Sequence, residues 1–100
     1  MDFKFVWSQE AINNLEEILD YLILNWSQKE VVRFKKKLSK QIDLIIQFPK
    51  MFPVSVYNTE LRKAVLSKQT TLFYKIKGNE IFLVYLFVNA RDIKTIKKSK

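Results

Sequence analysis

The chain has 100 residues, which is enough for a single domain with a simple core. Apolar residues make up 48% of it and aromatic residues 14%, a composition typical of a packed core and not of disorder. Cysteine and histidine are both absent, which excludes disulfides and thiolate metal sites and argues against zinc enzymes and Ser-His-Asp hydrolases. No metal and no cofactor is expected.

The net charge of +8 is unevenly distributed along the chain. Residues 1–30 hold six acidic and two basic side chains, whereas residues 31–100 hold sixteen basic and four acidic ones. This bias predicts an anionic partner, either nucleic acid, a ribosome or an acidic protein segment. The alternative is a charge that only maintains solubility.

The N-terminal third predicts a strand and a helix. Phe3 and Phe5 alternate with polar neighbours, which indicates a strand over Asp2–Val6. Ser8 is a good N-cap for the helix that follows. Apolar residues then recur at helical spacing, at positions 11, 12, 15, 18, 19, 22, 23 and 26, and predict one buried stripe.

A second helix is predicted over Gln28–Gln47. Ser27 and Glu30 match a capping box, in which the serine caps the helix and the glutamate reaches back to the cap amide. Phe48 and Pro49 end the helix, because proline disfavours helical geometry in the residue before it. The short break at residues 25–27 makes the two helices an antiparallel hairpin.

The last forty residues contain three strand-like segments, Leu61–Ser67, Thr70–Lys77 and Ile81–Val88. Gly78 and Asn79 separate the last two and predict a tight hairpin, since both residues tolerate positive φ. The final segment is apolar on both faces, which favours a central, covered strand. In the first of the three segments, either set of alternate residues fits the core equally well. The sequence therefore does not decide which face of this strand is buried.

These elements predict an α+β fold of order β-α-α-β-β-β with an antiparallel sheet, formed by residues 1–100 as one domain. Three strands form an antiparallel meander, the first strand joins an edge of that sheet, and the helical hairpin covers one face. The longest apolar run has eight residues, too few to span a membrane, and the N-terminus does not have the pattern of a signal peptide. A cytoplasmic location is expected.

Several motifs, in this order and spacing, are similar to those of the RelE/ParE superfamily, the toxins of bacterial type II toxin–antitoxin systems, also called plasmid stabilisation proteins. The resemblance covers nearly the whole chain and rests on Trp7-Ser8-Xaa-Xaa-Ala11, Ile45-Xaa-Xaa-Phe48-Pro49, Leu61-Arg62-Lys63, Phe73-Tyr74-Lys75-Ile76 and Ile81-Phe82-Leu83-Val84 leading to Arg91.

The resemblance implies a growth inhibitor that a cognate antitoxin neutralises. ParE-like members poison DNA gyrase, and RelE-like members cut mRNA on the ribosome. The ParE-like function is favoured here, because Thr71 stands where ribonuclease members carry another arginine and no histidine or tyrosine follows Arg91. A ribosome-dependent mRNA endonuclease and a non-toxic basic nucleic-acid-binding module remain alternatives, so enzymatic activity is left open.

The predicted site residues are mostly cations. If the chain is a ribonuclease, Arg62 and Arg91 stabilise the phosphate in the transition state. The residues expected to bind the target or nucleic acid are Arg62, Lys63, Lys68, Arg91, Lys94, Lys97 and Lys98. The alternative for the two arginines is ion pairing with Glu60 and Asp92.

Phe73 is the residue predicted to bind the antitoxin. It falls on the opposite strand face from Leu72 and Tyr74, and two helices can cover only one face of the sheet. An exposed patch that includes Phe73 would suit an amphipathic helix or an added strand of the antitoxin. Because the toxin is basic, the antitoxin is expected to be acidic in its toxin-binding segment.

Overall fold

Two layers, one of helices and one of strands, make up the part of the chain that the computed structural model describes, residues 3–89. The predicted α+β order is confirmed. The elements are β1 (Lys4–Trp7), α1 (Gln9–Asn25), α2 (Gln28–Gln47), β2 (Arg62–Val65), β3 (Thr70–Lys77) and β4 (Glu80–Val88).

The sheet has the strand order β1-β4-β3-β2 and is mixed. The predicted antiparallel meander of β2, β3 and β4 is confirmed, but β1 joins β4 in parallel, with Lys4 beside Glu80 and Trp7 beside Leu83. The expectation of an entirely antiparallel sheet is therefore wrong for β1. β2 and β4 run in the same direction. Whether β1 is parallel or antiparallel to β4 therefore depends on the end of the sheet at which β2 begins. The long connection of residues 48–61 sets that point.

A β-bulge interrupts the pairing of β3 with β4. Phe73 pairs with Tyr85 and Tyr74 pairs with Leu83, so Val84 is the extra residue on β4. The N-terminal half of α1 binds backbone groups at this bulge. The Ser8 hydroxyl donates to the Val84 carbonyl, and the Asn14 side-chain oxygen accepts from the Leu86 N–H at 2.9 Å.

Ser8 also caps α1, as predicted, because its side-chain oxygen accepts from the Ala11 N–H at 2.9 Å. The capping box predicted for α2 does not form. Ser27 makes no side-chain cap bond, and the Glu30 carboxylate instead pairs with Arg33 at 3.5 Å. An exposed ion pair of this kind contributes little to stability.

The core lies between the helices and one face of the sheet. Its buried side chains form one cluster with members from every element except β1. They are Ala11, Ile18, Leu38, Ile45, Ala64, Leu66, Leu72, Tyr74, Ile81, Leu83 and Leu86. The predicted stripe of α1 is only half buried, because Ile12, Ile23 and Trp26 remain exposed. No helix in the described part of the chain is long and apolar enough to cross a bilayer.

β2 is shorter than the predicted Leu61–Ser67, and the structure resolves which of its faces is buried. Ala64 pairs with Leu72 and is fully buried, whereas Val65 on the opposite face is 60% exposed. The outer edge of β2 is covered by the preceding loop, where the Lys63 N–H donates to the Pro53 carbonyl at 3.0 Å. The predicted turn before β4 is confirmed, with Gly78 at φ +61°.

The bulge gives a prediction for stability. Asn14→Leu should lower the free energy of unfolding by about 1–3 kcal/mol, because the Leu86 N–H loses its acceptor next to the core. Urea unfolding measures the change. Asn13→Leu is the matched control, since Asn13 is exposed and bonds only to Gln9 on the helix surface. Equal losses in the two variants would contradict this role of Asn14.

Candidate target-binding surface

The face of the sheet away from the helices carries aromatic, apolar and basic side chains. Strand pairing places them together, since cross-strand partners point to the same side of a sheet. We call this surface the open face, and its central residues are Lys63, Val65, Thr71, Phe73, Lys75, Phe82, Tyr85 and Phe87. None of them belongs to the buried core cluster.

A stacked aromatic pair lies at the centre of the open face. The rings of Phe73 and Tyr85 are 4.8 Å apart between centroids and inclined by 21°. Lys63 is the cross-strand neighbour of Phe73 on β2, and Lys75 is the neighbour of Phe82 on β4. Cations therefore border the aromatic surface on two strands.

The rest of the open face leaves apolar area in contact with solvent. Val65 is 60% exposed and Phe87 is 53% exposed, and both flank Thr71 across the sheet. A contiguous apolar patch with basic neighbours is typical of a protein or nucleic-acid binding surface. The arrangement therefore suits a ligand that offers apolar groups together with negative charge.

Arg62 does not contribute to the open face. Its cross-strand partner is Tyr74, so it lies on the side of the sheet that bears the core. Its guanidinium donates to the carbonyls of Phe52 at 2.7 Å and Lys50 at 3.2 Å. Arg62 forms no ion pair with Glu60, the partner considered from the sequence, within residues 3–89. Arg62 instead holds the loop of residues 48–61 against β2.

Tyr74 binds the same loop from the core side of the sheet. Its hydroxyl donates to the Pro49 carbonyl at 2.6 Å, and the ring of Phe52 meets its ring edge-on at 6.2 Å. Burial raises the pKa of Tyr74 to about 12, and the positive charge of Arg62 opposes that shift. The hydroxyl therefore keeps its proton at neutral pH, and its hydrogen bond serves the loop.

Two concave regions lie outside the open face. One, of about 440 Å³, lies beside Arg62 between the loop and the β3–β4 turn, and is lined by Phe3, Lys50, Val54, Thr59, Glu60, Arg62, Ile76 and Gly78. The other, of about 380 Å³, lies between the helices and the β2–β3 turn. Its walls are mainly apolar and include Glu17 and Glu30, so it does not suit a polyanion.

The structure brings only some of the predicted residues together. Lys63 and Phe73 are cross-strand neighbours on the open face, where Phe73 is partly buried. Arg62 lies on the other side of the sheet, and Lys68 is exposed in the turn between β2 and β3. Arg91, Lys94, Lys97 and Lys98 lie outside the described residues.

Sequence reasoning did not identify Tyr85 and Lys75 as site residues. Lys75 could have been found, because it alternates with Phe73 along β3. Tyr85 could not, because strict alternation from Ile81 and Leu83 would turn it towards the core. The bulge at Val84 reverses the alternation, and the sequence around it carries no glycine or other signal of a bulge.

The loop contacts give a prediction for Arg62. Arg62→Ala should destabilise the fold by about 1–3 kcal/mol and speed proteolysis within residues 48–61, because two backbone carbonyls lose a charged donor. Urea unfolding and limited proteolysis measure the two effects. Lys68→Ala is the control and should change stability by less than about 0.5 kcal/mol. Unchanged stability and loop cleavage in Arg62→Ala would show that the guanidinium does not hold the loop.

Comparison with known families identifies one match in sequence. Residues 5–93 match the model of the ParE toxin of the type II toxin–antitoxin system parDE. The match covers most of the chain, from the second residue of β1 through β4 to beyond Arg91. No curated protein matches the chain in sequence.

Solved structures of toxins share this fold. A chain of the chromosomal ParDE system from P. aeruginosa has a TM-score of 0.75 at 15% identity, covering 86% of this chain and 95% of that one. The YoeB/ParE toxin from Agrobacterium tumefaciens has a TM-score of 0.62 at 14% identity, covering 87% and 99%. YafQ from E. coli has a TM-score of 0.61 at 12% identity, covering 89% and 96%. At these identities the likeness concerns the fold.

Proposed function

We propose, because this chain belongs to the family of ParE toxins of type II toxin–antitoxin systems, that it arrests growth by binding DNA gyrase. It acts by occupying a macromolecular target, without covalent chemistry of its own. An acidic antitoxin neutralises it by covering the open face.

The main support for this proposal is that Arg62 is hydrogen-bonded to the loop. Cleavage of RNA requires a group free to stabilise the phosphate and groups that move protons. Arg62 is bound to two loop carbonyls, and the Tyr74 hydroxyl is bound to a third and holds its proton. Both side chains therefore stabilise the loop. This favours a toxin that binds its target over one that cleaves RNA.

The target contacts are proposed on the basic side chains that the architecture leaves accessible. Lys63 and Lys75 on the open face and Lys68 in the β2–β3 turn are such side chains. The predicted contribution of Arg91, Lys94, Lys97 and Lys98 stays a prediction from the sequence. An acidic surface of gyrase would complement this set through the sign of its charge.

The antitoxin is proposed to bind the Phe73–Tyr85 pair. A structure of the ParDE toxin–antitoxin system shares this fold, as does YafQ in its complex with DinJ, at a TM-score of 0.63. The aromatic pair supplies a flat apolar anchor, and positive charge comes from Lys63 beside Phe73 on β2 and from Lys75 farther along β3. An amphipathic acidic segment matches both features.

A ribosome-dependent mRNA endonuclease is the second candidate. The observation in its favour is the chemistry of the open face, because stacked aromatic rings bordered by lysines also suit unpaired bases and their phosphates. Thr71 offers a hydroxyl on the same face. On this alternative the antitoxin would block RNA binding directly.

Induction in a bacterial host that lacks the antitoxin separates the candidates. Growth arrest with continued translation, together with inhibition of gyrase supercoiling by the purified chain, is the expected result. Cuts in mRNA at defined ribosome positions would overturn the gyrase proposal in favour of the endonuclease. Normal growth would contradict both and leave a non-toxic nucleic-acid-binding module.

Antitoxin binding gives a second prediction. Phe73→Ala should weaken affinity for the antitoxin by about 10- to 100-fold, because it removes a central aromatic anchor. Isothermal titration calorimetry with the product of the adjacent gene measures this. Tyr57→Ala is the matched control, since Tyr57 is an aromatic residue that is 96% exposed on the loop. An unchanged affinity for Phe73→Ala would place the antitoxin elsewhere.

A further inference from the structure

The solvent-facing side of α2 carries a row of cations. Lys29, Arg33, Lys36, Lys37 and Lys40 are all exposed, and we call them the basic stripe. The buried residues of α2, Val31, Leu38 and Ile45, point to the opposite side of the helix. The stripe therefore lies on the outer surface of the helical layer, across the molecule from the open face.

The spacing of these residues makes the stripe continuous. At about 1.5 Å and 100° per residue, the five positions extend roughly 16 Å along the axis and lie within an arc of roughly 100°. Four of them succeed one another at intervals of three or four residues, so their side chains are neighbours on the helix surface.

Acidic side chains leave most of this charge uncompensated. Among residues 3–89 the one ion pair joins Arg33 to Glu30, at 3.5 Å and on the surface. The exposed acids of the helical layer are Glu10, Glu16, Glu17 and Asp20 on α1 and Asp43 on α2, three residues beyond Lys40. One acid beside the end of the stripe leaves most of its five positive charges without a partner. Like charges at this spacing repel one another, so the stripe costs stability unless an anion binds.

We propose that the basic stripe binds the phosphate backbone of duplex DNA without regard to sequence. The stripe has charge but no aromatic side chain, and single-stranded nucleic acids require aromatic platforms for stacking. An acidic protein segment would need a continuous apolar seam, as on the open face, whereas α2 exposes beside the stripe only the separate apolar side chains of Val32 and Leu44. A rigid line of phosphates is therefore the best match to a straight row of cations.

The position of the stripe has a consequence for the antitoxin complex. The stripe and the open face are on opposite layers, so a protein covering the open face leaves α2 accessible. DNA binding by α2 is thus independent of the proposed gyrase inhibition, and failure of either can be detected without the other.

Fluorescence anisotropy with a labelled 20-base-pair DNA duplex tests the proposal on the purified full chain. The variant K36Q/K37Q/K40Q should bind at least about 10-fold more weakly at low salt. It should also lower the slope of log affinity against log salt by about 2–3, because roughly 0.9 counterions are released for each phosphate contact. K36R/K37R/K40R should keep the affinity, which separates loss of charge from loss of folding.

The control K4Q/K50Q/K77Q removes the same charge from exposed lysines outside the stripe. It should weaken binding by less than about 3-fold, since only the long-range attraction changes. Equal losses in the two glutamine variants would overturn the proposal and assign the binding to net charge. Tighter binding of a duplex RNA of equal length, or of polyglutamate of equal charge, would overturn the choice of DNA.

Discussion

The β-bulge at Val84 is the constraint on which the rest of the structure depends. It lets Leu83 and Leu86 both face the core, and it turns Tyr85 to the open face beside Phe73. Ser8 and Asn14 of the first helical turns bind the Val84 carbonyl and the Leu86 N–H, so α1 is attached where the strand is irregular. The bulge therefore provides the backbone groups that attach α1 to the sheet, and it also places Tyr85 against Phe73.

The second constraint is that one helical hairpin covers only one face of a sheet that carries apolar side chains on both faces. The covered face supplies the core, and the other face keeps Val65 and Phe87 exposed. Burying that apolar area against a partner would release free energy that the isolated chain does not gain. On the proposal that the antitoxin covers this face, neutralisation and burial of the apolar surface would occur together.

Much of the fold was predictable, because hydrophobic periodicity identified both helices, the meander and the turn at Gly78. The parallel pairing of β1 was not, since the loop of residues 48–61 determines it and its path rests on tertiary contacts of Arg62 and Tyr74. The position of Phe73 on the uncovered face was predictable, because it alternates with Leu72 and Tyr74 along one strand. The position of Tyr85 was not predictable, because the bulge reverses the alternation along β4. The charge of Arg62 indicates a binding role, but its contacts with the loop carbonyls depend on the tertiary fold.

The central claim is that the open face, and not the helical layer, binds the antitoxin. An NMR titration of the isotope-labelled chain with unlabelled antitoxin tests it most directly. The account predicts that the largest shifts fall on the amides of Lys63, Phe73, Lys75 and Tyr85, with α2 positions such as Lys36 and Lys40 nearly unchanged. Large shifts along α2, with the signals of Phe73 and Tyr85 unmoved, would contradict it.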